Sequence, residues 1–292
     1  MCASMNLASL YNSLNIPLYY IEIILETCDC VNSLAKKDVS IMYRIMSFEI
    51  ITYANKSQGM FEELVKNPFN VPIQVLGWGT KWNGFSDKCK GVLKYLESKN
   101  DTDIVVFLDG FDTKVNRNPR DLLNMFKSYD CKILLSRDPE VSGKIVSQVI
   151  FGTCDGTSIA NAGMYMGYVK ELREFLKDEE AVKCKDDQVN FNTLCKTHRF
   201  VKVDEDEKIF KNFRPTETNK ESNALFVSFP ASPSLSRYSR GLVEYTQFVY
   251  VYVLCLLVVS MAFLPRYKNI LVGSVLGFTA FYALVADKSC TF

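Results

Sequence analysis

Asp103-Ile104-Val105-Val106-Phe107-Leu108-Asp109-Gly110-Phe111-Asp112 is the stretch on which the fold turns. A run of apolar residues ends abruptly in two carboxylates and a glycine. A short, continuous apolar run bounded by turn residues is the mark of a strand buried on both faces, as in a parallel sheet. The spacing predicts that strand over 103–108. Outward from it, Phe48-Glu49-Ile50-Ile51-Thr52-Tyr53 reads as a first buried strand, and 71–76 and 131–136 as two more. Helices are predicted between them at 59–66, at 86–98 with Val92, Leu93 and Leu96 on one side, and at 119–129 with Pro119 in the first turn. Strands alternating with helices predict an α/β fold whose mostly parallel sheet is covered on both faces. Such sheets bind ligands beyond the carboxyl ends of their strands, where Asp109 and Asp112 fall.

The rest of the chain sets the domain plan. Residues 1–45 read as an N-terminal extension; the apolar run at 21–25 carries Glu22 and is too short to span a bilayer, and Met46 is an alternative start. The main domain is predicted over 46–213, followed by a Pro- and Ser-rich segment, 214–244, holding a last strand near 224–229 and a linker. No charged residue occurs from 245 to 265 or from 269 to 286. The two runs just meet the roughly 20 apolar residues a bilayer core requires. With Arg266 and Lys268 in the turn, 245–287 is expected to be a transmembrane helical hairpin, making a lipid membrane one partner. Two buried core helices are the alternative, which the lack of a polar face opposes. The net charge of +1 over 292 residues gives no basic excess, so no nucleic-acid partner is expected.

Ten cysteines are scattered, no signal peptide opens the chain, and Cys28 and Cys30 are too close for an ordinary bridge. Reduced thiols in a cytosolic setting are therefore expected. Asn55-Lys56-Ser57 is a glycosylation sequon at the end of the first strand, where a glycan would obstruct a ligand. Arg237, Arg240 and Lys288 at the hairpin ends outnumber Arg266 and Lys268 in its turn. All three observations point to a cytosolic domain.

Four motifs carry the chemistry. Asp109 and Asp112, three apart at a strand end, suit one Mg²⁺ or Mn²⁺ whose shell a diphosphate completes. The metal would then neutralise charge on a departing diphosphate. An acidic turn capping the next helix is the bland alternative. A haloacid-dehalogenase reading fails because its carboxylates stand two apart. Asn161-Ala162-Gly163-Met164-Tyr165-Met166-Gly167 allows close backbone approach to a ligand, with Asn161 able to bond sugar hydroxyls. Lys185-Asp186-Asp187-Gln188 opens a helix through Cys195; its acids either cap that helix or face a reacting carbon. Gly77-Trp78-Gly79-Thr80-Lys81-Trp82, with Lys88 beyond, holds both tryptophans in a flexible loop suited to a nucleotide or sugar. His198, the one histidine, reads as surface or packing.

In this order the motifs Val75-Leu76-Gly77-Trp78-Gly79-Thr80-Lys81-Trp82, Val105-Val106-Phe107-Leu108-Asp109-Gly110-Phe111-Asp112, Asn161 to Gly167 and Asp186-Asp187-Gln188 make residues 47–213 resemble the glycosyltransferase domain of the procollagen lysyl hydroxylase/glycosyltransferase family. Similar domains also occur in large DNA viruses, and the resemblance admits a viral origin. It implies a GT-A (Rossmann-like) fold, a UDP-sugar donor and Mn²⁺ (or Mg²⁺). By position it gives the metal to Asp109 and Asp112, and it sets Phe111 where the family has a tyrosine against the uracil ring. It also gives Trp82 and Lys88 to the donor-side loop, Asn161 and Gly163 to the sugar-side turn, and catalysis to Asp186 and Asp187. The family's histidine metal ligand has no counterpart in Ala224-Leu225-Phe226-Val227-Ser228-Phe229-Pro230, where the alternatives are Ser228 or water as a substitute, or weak metal binding. No hydroxylase domain follows, so no iron or 2-oxoglutarate site and no collagen acceptor is expected. The resulting expectation is a membrane-anchored, metal-dependent transferase moving a hexose to a hydroxyl on a protein or glycan. The rival is a catalytically inactive, membrane-tethered structural or binding protein. The missing histidine favours that rival; the retained carboxylates oppose it.

Overall fold

The computed structural model describes residues 48–141, 143–181, 186–230 and 250–285. The expectations for 1–45, the start at Met46 and the linker from 231 onward lie outside the described residues. The strands among the described residues are β1 (Phe48–Tyr53), β2 (Ile73–Leu76), β3 (Ile104–Asp109), β4 (Thr113–Val115), β5 (Ile133–Arg137), β6 (Ala160–Tyr168), β7 (Val201–Val203), β8 (Phe210–Asn212) and β9 (Phe226–Ser228). The helices of the domain are α1 (Phe61–Val65), α2 (Ser86–Leu96), α3 (Leu122–Ser128), entered through a 3₁₀ turn at Pro119–Asp121, α4 (Lys144–Phe151), α5 (Val169–Ala181) and α6 (Asp187–Cys195).

The main sheet has six strands in the order β2-β1-β3-β6-β5-β7. β1 runs parallel to β2 and β3, and β5 to β7, whereas β6 is antiparallel to both its neighbours. The sheet is thus mostly parallel, as expected, with one reversed strand in the middle. That reversal has a functional consequence. It carries the start of β6, with Asn161, to the edge where β3 and β5 end: Ser136 pairs with Asn161, and Leu108 with Met164.

Both faces of the sheet are buried, which is why β3 reads as an uninterrupted apolar run. Ile51, Val105, Phe107, Leu135 and Tyr165 pack under Val92 and Leu96 of α2, Leu172 and Phe175 of α5 and Phe191 of α6. On the other face, Ile50, Val106, Leu108, Leu134 and Met166 meet Leu122 and Phe126 of α3. β9 arises within the expected 224–229 segment, but joins a second, three-stranded sheet, β4-β9-β8, and not the main one. The reason is local. β4 leaves directly after the turn at Asp112 and takes β9 as an antiparallel partner, Thr113 facing Ser228.

The expectation of unpaired thiols is corrected at one pair of positions. Cys154 and Cys195 form a disulfide with a Cα–Cα separation of 4.8 Å. Their 41-residue separation hides the pair in the sequence, because only the docking of the end of α6 against the approach to β6 brings them together.

Residues 250–285 fold as a helical hairpin of α7 (Tyr250–Phe263), a 3₁₀ turn at Pro265–Tyr267 and α8 (Lys268–Val285), bent by 115°. Tyr250 ties the legs together, its ring 3.9 Å from that of Tyr282 and its hydroxyl 3.2 Å from Thr279 Oγ1. Among the described residues no single helix is long and apolar enough to cross a membrane, whereas the bent pair passes that test together.

Candidate functional site

The site forms at the carboxyl edge of the main sheet, from groups on four elements. Asp109 is the last residue of β3, and Asp112 follows across the Gly110-Phe111 turn. The turn is held on both sides. Asp109 Oδ1 accepts from the Phe111 amide at 3.1 Å, and the Phe111 carbonyl accepts from the Met60 amide at 2.9 Å. Phe111 is half-buried there. Gly163 on β6 lies against this end of β3: a β-carbon placed on it would sit 3.8 Å from that of Asp109 and 2.9 Å from Asn161 Oδ1.

Lys88, in the first turn of α2, reaches into the carboxylates. Its Nζ is 2.6 Å from Asp187 Oδ2 and 3.5 Å from Asp109 Oδ2, with the three side chains only 12–24% exposed. Burial works against the ammonium charge, but Asp187 and Asp109, with Asp112 contributing, outweigh it and hold the lysine pKa well above its ordinary value. Three carboxylates around one ammonium leave the cluster negative. A diphosphate entering it would be repelled unless a further cation is supplied.

The acidic pair at the start of α6 is divided by the fold. Asp186 is the helix N-cap, Oδ1 accepting from the amides of Gln188 and Val189, both at 3.0 Å. Asp187 is the one that pairs with Lys88. Gln188 then bridges outward. Its Nε2 donates to Asp138 Oδ2 at 2.8 Å, and its Oε1 accepts from Asn161 Nδ2 at 3.1 Å. Asp138, just past β5, is 7% exposed, and burial pushes its carboxyl up from the usual range. It lines a cavity of about 350 Å³ with Arg137, Lys211, Asn212 and Arg214 among its walls. Asp138 and this cavity escaped the sequence reading; a carboxylate directly after a buried strand was the available signal.

The tryptophan loop lies along the same edge. Trp78 and Trp82 are 56% and 40% exposed, so neither is a core residue. Trp78 stacks on Phe61 at 5.1 Å, and Trp82 lies 6.0 Å from Tyr53 and 5.9 Å from Phe85. Tyr53 at the end of β1 was not singled out in the sequence, yet it seats the loop. Its ring fills the space that a β-carbon on Gly77, at φ +73°, would occupy. His198 is a packing residue, with Nε2 3.0 Å from Asp178 Oδ2 and its ring beside Phe175 and Phe200.

Among the described residues no group of three His, Cys, Asp or Glu side chains is placed to hold a metal. The donor set that is present, Asp109 and Asp112 in a negative cluster, fits a hard divalent ion whose remaining ligands are phosphate oxygens and water. The segment lacking the histidine does reach this place, because the Phe229 amide donates to the Asp112 carbonyl at 2.8 Å. Ser228 is 2% exposed within the small sheet, and the Phe229 ring stacks on Phe213.

Comparison with known proteins supplies an independent reading. The family model described as the PLOD GT domain matches residues 45–225. Procollagen-lysine,2-oxoglutarate 5-dioxygenase 1 of Gallus gallus is 22% identical over 182 residues, covering 56% of this chain and 25% of its own length. The multifunctional procollagen lysine hydroxylase and glycosyltransferase of Caenorhabditis elegans is 23% identical over 183 residues, with the same coverage of 56% and 25%. The chain thus spans about a quarter of the length of the curated relatives it matches. Among solved structures, the galactosyltransferase LgtC in complex with donor and acceptor sugar analogs is 16% identical, covering 70% of this chain and 95% of its own, with a TM-score of 0.42.

Proposed function

Because the chain belongs to the PLOD GT domain family, and so carries a glycosyltransferase domain, we propose that it transfers a hexose from a UDP-sugar to a hydroxyl group. The observation that carries this reading is the convergence of Asp109, Asp112 and Asp187 on the Lys88 ammonium at the end of β3.

Asp109 and Asp112 would hold Mn²⁺ or Mg²⁺, which supplies charge neutralisation for the diphosphate. Phe111 and the exposed ring of Trp82 offer flat faces to the uridine. Asn161 and Gly163 border the sugar, and Gly163 allows close approach because it lacks a β-carbon. Lys88 has two anionic partners to choose between. Without donor its charge is spent on Asp187; an arriving phosphate competes for the ammonium and frees that carboxylate. Asp187 then orients the acceptor hydroxyl and takes its proton as oxygen bonds to the sugar C1. The bond from C1 to the UDP oxygen breaks, and its electron pair leaves with UDP, next to Lys88. Asp186 is assigned to helix capping. The polar cavity beside Asp138 provides the acceptor side.

With the histidine missing, Asp109 and Asp112 are the metal ligands on offer among the described residues, and weak metal affinity follows. The inactive-scaffold reading keeps that observation as its support. UDP release from UDP-glucose or UDP-galactose with Mn²⁺ separates the two, since a scaffold gives none.

The hairpin at 250–285 is proposed to sit in a membrane, on the strength of its exposed apolar faces, with Leu256 68% and Phe263 78% exposed. The Cys154–Cys195 pair removes one support for a cytosolic domain and favours the oxidising side. The sequon at Asn55, whose amide donates to the Thr80 carbonyl at 3.3 Å, stands against that side. We place the domain on the oxidising side; cleavage by protease in sealed microsomes would return it to the cytosol.

A further inference from the structure

A buried carboxyl group lies behind the Lys88–Asp187 pair, and the reaction proposed above does not use it. Glu179, near the end of α5, is only 4% exposed. Its Oε1 accepts from Asn190 Nδ2 at 3.1 Å, and Asn190, itself 2% exposed, belongs to the helix that Asp187 opens. Glu179 also lines a cavity of about 10 Å³ together with Lys88, Cys89, Tyr165 and Asp187. That is room for roughly one water molecule. Among the described residues, the polar groups facing the carboxyl are Lys88 and Cys89 from α2, Tyr165 from β6, and Asp187 and Asn190 from α6. Of these, Lys88 alone is cationic.

We infer that Glu179 is a positioning residue that works as a neutral carboxylic acid, holding α6 through Asn190 while leaving the Lys88 ammonium to Asp187 and Asp109. The alternative, an ionised Glu179, would bring a further negative charge to a cluster that already has an excess, and would compete with Asp187 for the same lysine. The surroundings favour the neutral form. Burial raises the carboxyl pKa, Asp187 adds to the rise, and the bonds from Cys89 and Asn190 with the charge on Lys88 only partly oppose it. The inference rests on the transferase reading for its consequence, since what Glu179 positions is the pair assigned to donor and acceptor.

The test uses the full chain and the variants Glu179→Gln and Glu179→Leu, with two readouts. The first does not depend on turnover. A carboxyl whose folded pKa lies above its unfolded value lends stability that is fully present below the unfolded pKa and is lost as pH rises through the folded one. Melting temperature followed between about pH 5 and 9 should fall faster in the wild type than in Glu179→Gln. Parallel curves would overturn the neutral-acid assignment. The second readout is UDP release from UDP-glucose or UDP-galactose with Mn²⁺ across the same range. Glu179→Gln, which mimics the protonated acid, should match the wild type at the acid end and lose less activity toward the alkaline end. Glu179→Leu, which cannot bond Asn190, should lose turnover roughly tenfold to a hundredfold at every pH with donor KM unchanged. An alkaline decline identical in wild type and Glu179→Gln would overturn the positioning role. Absence of turnover in every protein would instead remove the transferase reading, and the melting curves would still decide the charge state of Glu179.

Discussion

At the scale of single residues, the structure separates neighbours that the sequence presents as equals. Asp186 and Asp187 are adjacent carboxylates, yet one spends its side chain on two helix amides and the other meets Lys88 at 2.6 Å. Asp187→Asn should therefore keep donor affinity nearly intact and lower turnover by about a hundredfold or more, the range for losing an acid–base or electrostatic group. Equal turnover in steady-state assays would return Asp187 to structural duty. Asp112→Ala is expected to abolish Mn²⁺-dependent UDP-sugar binding in calorimetry while the protein stays folded. Its contact with Phe229 runs through the main-chain carbonyl, which alanine retains. Lys88 carries the opposite charge within the same cluster. Lys88→Met removes the cation paired with Asp187, and both donor affinity and turnover should fall.

At the scale of elements, α6 is the part on which the site depends. Besides the Asn190 and Gln188 bonds already described, it is fixed by the Asp186 cap, the Cys154–Cys195 disulfide at its far end, and Asn192 in between. Asn192 is fully buried and bonds both main-chain groups of Ala160, accepting from the amide at 2.8 Å and donating to the carbonyl at 2.9 Å. Asn192→Ala leaves two buried backbone groups unsatisfied, so a loss of about 2–4 kcal/mol is expected from denaturant unfolding, with turnover falling as Asp187 loses its alignment. The disulfide closes a 41-residue separation. Loop-closure entropy puts its removal by Cys154→Ser at on the order of 3–4 kcal/mol, read as a lower melting temperature that reductant reproduces in the wild type. The reversed strand β6 matters in the same way. Had it run parallel to β3, Asn161 would lie at the opposite edge of the sheet from Asp109.

At the scale of the whole molecule, the chain joins a domain with two buried sheet faces to a hairpin whose side chains stand exposed. Exposed apolar area of that kind calls for lipid or another apolar partner. The full chain should remain with membranes through high-salt washes and need detergent for release; release of intact protein by salt alone would end the membrane reading. In sealed microsomes the domain should be protected from protease until detergent is added.

The sequence by itself determined the α/β alternation, the buried strands at 48–53 and 103–108, the placing of Asp109 and Asp112 at a strand end, and the apolar hairpin. These are written in local patterns: apolar runs, turn residues and stretches without charge. The tryptophan loop, too, was legible as an exposed aromatic segment. Tertiary structure alone decided what depends on distant chain segments meeting. It reversed β6 and so brought Asn161 and Gly163 to Asp109. It sent β9 into a second sheet, paired Cys154 with Cys195, and chose Asp187 over Asp186 as the partner of Lys88. It also set Glu179 and Asp138, which are unremarkable acids in the sequence, at the two sides of that pair. Periodicity reports which face of its own element a residue occupies, whereas its chemistry is set by the neighbours that packing brings to it from elsewhere in the chain.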